Sequence, residues 1–145
     1  MAFLLDTNIV SETVRPNPEK AVLDWIGARV PTDLFLAAQT LGELVRGARK
    51  VRDQARRERF EKWIEQELAF PLELRVLPLE GRTASLWGLL MGDCDRVGRR
   101  PAAADAHIAA VALQHDLILV TRNVKDFVNF DVRLLDPWQN PGGDE

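Results

Sequence analysis

A chain of 145 residues with 46% apolar and 28% charged side chains has the composition of one soluble globular domain. A chain of this size buries roughly 70% of the surface its unfolded form exposes, and its single cysteine, Cys94, excludes an intrachain disulfide and a zinc site of several thiolates. The net charge of −3 excludes a uniformly basic coat, and no apolar run approaches the ~18 residues of a membrane span.

Phe3-Leu4-Leu5 reads as a short buried strand, and Asp6 breaks it too early for a signal peptide, so a cytoplasmic chain is expected. Asp6-Thr7-Asn8 starts a helix whose amide end Asp6 or Thr7 can cap. Ala21 to Ile26 is helical with Val22, Trp25 and Ile26 on one face, and Leu34-Phe35-Leu36 is a second strand. Thr40 to Lys50 reads as a helix. A longer one follows, with Phe60, Trp63, Ile64, Glu67 and Leu68 at i, i+3, i+4, i+7 and i+8. Leu74 to Leu77 is a third strand, and Thr83, Leu86, Trp87, Leu90, Met91 and Cys94 recur at helical spacing as a core stripe. Pro101 opens the alanine-rich helix Ala102 to His115. Leu117 to Val120 is apolar throughout, the mark of a strand covered on both faces. A turn around Asp126-Phe127 and a strand from Val132 to Leu135 complete an α/β domain over residues 1–138, a short parallel sheet with helices on both sides. Residues 139–145 are expected to fray.

Charge is unevenly spread. From Arg46 to Lys62 eight basic residues face three acidic ones, leaving a net −8 on the remainder. Such an arm is either a solvated helical face or a phosphate-facing surface that begins with Arg46, Arg49, Lys50 and Arg52. A smaller cluster, Arg96, Arg99 and Arg100, precedes the alanine-rich helix.

In an open α/β sheet, ligands sit beyond the carboxyl ends of the strands. Asp6 and Thr121-Arg122-Asn123 directly follow strands, so they meet at that edge. Glu43 either completes a capping box with Thr40 or reaches the same edge from its helix. Asp105 lies in line with the apolar Ile108, Ala109 and Ala112, where an ionised group needs a partner. If Asp6, Glu43 and Asp105 converge at ~5 Å and an effective dielectric of ~20, each pair repels by about 3 kcal/mol, roughly 10 kcal/mol for the three. A raised pKa, a clamping arginine or a divalent cation can offset that, and all-oxygen ligands suit Mg²⁺ or Mn²⁺. His107 and His115 have no metal-ligand spacing. His107 is read as a packing or surface residue and His115 as a cation at a helix end.

Asp6-Thr7-Asn8-Ile9-Val10-Ser11-Glu12, Glu43-Leu44-x-x-Gly47, Ala104-Asp105-Ala106-x-Ile108-Ala109-Ala110 and Thr121-Arg122-Asn123-x-x-Asp126-Phe127 occur in this order. The ordered set resembles the PIN domain of VapC-type toxins, the ribonuclease half of bacterial type II toxin–antitoxin pairs, over nearly the whole chain. The resemblance implies a PIN-like fold and a metal-dependent endoribonuclease. Its acids carry over to Asp6, Glu43 and Asp105, supported by Thr7, Asn8 and Thr121. The family often has a further aspartate where this chain has Asn123, so either Asn123 contributes its carbonyl oxygen or a water, or Asp126 takes part. The resemblance also implies an RNA substrate, a VapB-type antitoxin, and a homodimer or larger toxin–antitoxin assembly. Trp25, Phe60 and Trp63 exceed what one short sheet needs to cover itself, which supports a dimer.

Two readings from other classes compete. A phosphotransfer enzyme or receiver domain would show a second acid beside Asp6, and Asp6-Thr7-Asn8 lacks it. A noncatalytic module that binds RNA or a partner would keep the same acids merely as helix caps.

Overall fold

The computed structural model describes residues 1–69 and 75–143. Five strands, β1 (Phe3–Leu5), β2 (Leu34–Ala37), β3 (Val76–Leu77), β4 (Ile118–Val120) and β5 (Leu134–Leu135), form one sheet in the order β3-β2-β1-β4-β5. Every pairing is parallel. β1 sets Phe3 opposite Leu34 on one side, and Phe3, Leu4 and Leu5 opposite Ile118, Leu119 and Val120 on the other. The expected parallel α/β sheet is therefore present, though its third and fifth strands are only two residues long. Leu74, the expected start of the third strand, lies outside the described residues.

Among the described residues, six α-helices connect the strands: α1 (Thr7–Glu12), α2 (Lys20–Gly27), α3 (Ala38–Arg49), α4 (Gln54–Trp63), α5 (Gly81–Arg96) and α6 (Ala103–Gln114). Because side chains alternate across a strand, each strand feeds two cores. Phe3, Leu5, Leu36, Ile118 and Val120 face one side with Ile9, Val22, Trp25 and Leu44. Leu4, Ala37, Leu117 and Leu119 face the other, against Ala106, Ala109 and Ala112 of α6 and against Phe127 and Phe130. The small side chains of α6 let its backbone lie close to the sheet, and α5 packs along it through a stacked Trp87–His107 pair with ring centroids 4.9 Å apart. Of the two readings of His107, packing or surface, the stack on Trp87 supports the first.

Trp25 belongs to the core rather than to a spare surface. It is 0% exposed and meets Phe3 edge-on at 5.1 Å, while Phe60 and Trp63 pack partly buried against the same core. The aromatic surplus that favours a dimer on sequence grounds is largely absorbed within the subunit. At the chain's end, the Gly143 carbonyl accepts hydrogen bonds from Trp25 Nε1 at 2.9 Å and Arg29 at 3.1 Å. Asp144 and Glu145 lie outside the described residues. None of the described helices is long and apolar enough to cross a membrane.

Candidate active site

The strand order reverses between β1 and β4, since the chain builds outward from β1 through β2 and β3 and then returns to the other side. Such a switch point leaves a crevice at the carboxyl ends of the two central strands, because their connections leave in opposite directions. Asp6 and Thr121 stand there, each one residue beyond its strand, and the Asp6 amide donates to the Val120 carbonyl at 2.9 Å.

β1 runs into α1 with Asp6 as the only intervening residue, so the helix cap and the strand-end acid are the same side chain. Asp6 Oδ1 accepts from the Thr7 amide at 2.8 Å. Oδ2 accepts from Thr121 Oγ1 at 2.7 Å and from Asn8 Nδ2 at 3.4 Å. Asn8 also donates to Thr121 Oγ1 at 3.3 Å and accepts the Arg122 amide on Oδ1 at 3.2 Å, and the Asn123 amide donates to Thr121 Oγ1 at 3.0 Å. Asn8 and Thr121 thereby stitch the β1 and β4 ends together and fix the orientation of a carboxylate that is only 7% exposed.

Glu43 is not part of a capping box. β2 passes directly into α3, which begins at Ala38, so Thr40 falls inside the first turn, fully buried with its hydroxyl unpartnered. Glu43 instead turns to the crevice, where its Oε2 accepts from Thr7 Oγ1 at 2.7 Å. Gln39 Nε2 reaches its other oxygen at 3.5 Å.

Asp105 stands in the first turn of α6, half-buried, and its carboxyl is pushed up to about 6. Desolvation is the main cause, followed by the charges of Asp126, Asp6 and Glu43. Asp6 is likewise raised, chiefly by burial, against the lowering effect of its Thr121 and Thr7 hydrogen bonds, with Glu43 and Asp126 adding to the rise. The structure therefore brings Asp6, Glu43 and Asp105 within electrostatic reach of one another and adds Asp126, from the short 3₁₀ turn Val124–Asp126. Asp126 acts on Asp105 more strongly than Asp6 or Glu43 does. Asn123 is exposed and joins the network through its amide.

Among the described residues, no group of three or more acids, histidines or cysteines is drawn close enough together to hold a metal ion as they stand. The donor chemistry nonetheless fits a hard divalent cation. Every group is an oxygen, the acids repel one another, and no cation is among the groups that shift Asp6 or Asp105. Mg²⁺ keeps several waters and takes one or two carboxylates directly, so an open set of acids suits it better than a tight cage would.

The basic arm begins on α3 one helical turn beyond Glu43. Arg46 and Arg49 end α3 and Lys50 caps it, and Arg49 pairs with Glu61 of α4 at 3.1 Å. Further along, Arg56 and Arg59 line a groove of about 380 Å³ with Val14, Pro16, Phe60 and Trp63. The basic residues that share a cleft with Asp105 and Asp126 are different ones. Arg99, Arg100 and Lys125 line an open cleft of about 550 Å³ together with Asp105 and Asp126. Sequence reasoning marks the arginines as a small cluster without a role, and it passes over Lys125, whose one signal is its place next to Asp126.

Residues 3–132 match the PIN domain family. The chain is 32% identical over 138 residues to toxin FitB of Neisseria gonorrhoeae, covering 95% of this chain and 99% of that protein. It is 33% identical over 137 residues to VapC ribonuclease Y4jK of Sinorhizobium fredii, covering 94% and 98%. The crystal structure of FitAcB from Neisseria gonorrhoeae superposes with a TM-score of 0.88 at 34% identity, over 94% of this chain and 98% of that one. The chain belongs to the PIN-domain family, with VapC-type toxins among its relatives.

Proposed function

We propose that the protein is a divalent-metal-dependent endoribonuclease and the toxin of a type II toxin–antitoxin pair. One observation carries the reading: at the topological switch point Asp6 and Asp105 are each raised by burial and by neighbouring acids, Glu43 and Asp126 among them, and neither makes an ion pair among the described residues. Helix caps alone do not account for that, because of these four acids only Asp6 caps a helix. Asp6, Glu43 and Asp105 would hold Mg²⁺ or Mn²⁺, with Asp126 as the adjoining fourth acid. When bound, such an ion would supply an acidified water and neutralise charge at the phosphate. Thr121, Asn8 and the Thr7 amide fix the Asp6 carboxylate, and the Thr7 hydroxyl fixes Glu43, so two acids are oriented before substrate arrives. Hydrolysis leaves a 5′-phosphate and a 3′-hydroxyl. It needs no 2′-hydroxyl, so preference for RNA comes from recognition of the strand.

Uncompensated acid in an open crevice also calls for a basic segment from an inhibitory partner, a VapB-type antitoxin in the cytoplasm. A homodimer follows from family likeness, and light scattering of the pure protein checks it. Arg46, Arg49, Lys50 and Arg52 add long-range attraction for RNA. The deciding experiment is turnover of end-labelled RNA by pure protein in Mg²⁺ or Mn²⁺, with EDTA as control. Metal-dependent cleavage is expected. Binding without turnover in either metal would leave the noncatalytic reading standing.

A further inference from the structure

The cleft beside the acids has two walls, the turn that leads into α6 and the turn that follows β4. Arg99 and Arg100 stand on the first and Lys125 on the second. All three are exposed, and their side chains take no hydrogen bond or ion pair among the described residues. None of them makes an ion pair with Asp105 or Asp126, the acids they adjoin. α6 opens in the same cleft, at Ala102, with no side-chain cap, so the positive end of a twelve-residue helix adds to the field. Three unpaired cations, an uncapped helix end and two acids thus share one open volume.

We infer that Arg99, Arg100 and Lys125 form a second phosphate subsite, which holds the backbone phosphate next to the one that reaches the acids. The inference rests on the ribonuclease reading of those acids. A single strand carries one phosphate per nucleotide, so a strand with one phosphate at Asp105 brings its neighbour into the cleft that Asp105 and Asp126 share with the cations. Phosphate contacts fix the register of a strand without reading its bases. The three cations therefore select which bond meets the acids. They are positioning residues, distinct from the arm that starts at Arg46.

The test is a triple variant, Arg99→Ser, Arg100→Ser and Lys125→Ser, assayed on a labelled single-stranded oligoribonucleotide from 50 to 300 mM salt. Removing one cation from a strand phosphate lowers the salt slope by about 0.7, so a drop of about 2 and a KM raised about tenfold or more are expected. The maximal rate stays near that of the wild type, and the Arg99→Lys, Arg100→Lys variant keeps most of the slope because it keeps the charge. An unchanged slope and KM in a variant with a wild-type melting curve would overturn the inference, as would a fall in kcat alone. Anisotropy of the same oligomer in EDTA separates this from failure of the ribonuclease reading. If the wild type binds but does not cleave, a slope reduced in the triple variant still supports the subsite, and a slope retained overturns it.

Discussion

Asp6 serves three purposes with one side chain: it ends β1, caps α1 and supplies an acid to the crevice. Asn at this position is itself a favoured cap residue, so Asp6→Asn removes the charge and keeps a helix cap. Asp6→Asn, Glu43→Gln and Asp105→Asn are each expected to lower metal-dependent cleavage at least about a hundredfold, the upper end of what removal of a supporting partner costs at a metal site. Metal-free melting temperatures of these variants should match or exceed the wild type, because each substitution removes one source of mutual repulsion. Near-wild-type cleavage by any of the three removes that residue from the site. Thr121→Val should cost about 10–100-fold, since it strips Asp6 of its shortest hydrogen bond and leaves the charges in place. Asp126→Asn should weaken metal binding more than Asn123→Ala does, because Asp126 acts electrostatically on both Asp6 and Asp105. Calorimetric titration of the metal-free protein with Mn²⁺ compares the two.

Among the elements, the two abrupt strand-to-helix junctions do most to place the site. Both β1–α1 and β2–α3 turn without a loop, which sends Asp6 and Glu43 into the crevice from adjacent strands. The first junction is legible in the sequence because Asp6 interrupts an apolar run and is itself a favoured cap residue. The second is not. Thr40 and Glu43 satisfy a capping pattern, while the true N-cap, Ala37, has no capping side chain, so the local signal points three residues too late. The apolar spacing from Phe60 to Leu68 reads as one helix, whereas α4 stops at Trp63 and the backbone widens into a π-helical turn over Ile64–Ala69. Ile64 and Leu68 are buried in either geometry, so periodicity alone does not separate them. Asp126 is visible only as one half of an alternative, because an exposed acid in a turn has no local pattern that sets it apart.

Glu12 shows what the end of α1 contributes to stability. It is 4% exposed, accepts the Glu19 amide at 2.9 Å and pairs with Arg15 at 3.0 Å, and its carboxyl is held below the ordinary value, first by the Glu19 amide. Glu12→Ala should destabilise the protein by about 1–3 kcal/mol, because the Glu19 amide and its surroundings are left without a charged acceptor. Chemical denaturation measures this, and an unchanged midpoint would show the interaction to be incidental.

Across the whole molecule, the acids give stability a distinctive dependence on pH. The folded protein holds a proton on Asp105 up to about pH 6, whereas the unfolded chain releases it near 3.8. Between those values the folded state binds more protons, so the Asp105 contribution falls as pH rises and stays low above 6. Asp6 works in the same direction. Glu12, lowered instead, works in the opposite direction, and its stabilisation fades as pH drops through its folded value, below 4.5. Metal-free protein should therefore melt highest near about pH 5 and lower at about pH 7.5, and Asp105→Asn should flatten that decline. Saturating Mn²⁺ should reverse it at that higher pH, raising stability by about 2.7 kcal/mol when the free ion stands at about a hundred times its Kd. A melting temperature there that does not respond to Mn²⁺ would count against a metal held by these acids.

The turn that follows β4 also leans on the far end of the chain. Arg122 packs its guanidinium over the Trp138 ring, 4.9 Å from the centroid, while its amide is held by Asn8. An indole thus sits against the residue next to Thr121, which gives the crevice an optical reporter of its own. A paramagnetic ion such as Mn²⁺ bound among the acids should quench Trp138 emission. Trp138→Phe should reduce that response to what Trp87, whose Nε1 donates to the Ala103 carbonyl at the start of α6, contributes, while Trp25, enclosed in the core against Phe3, stays silent in both proteins.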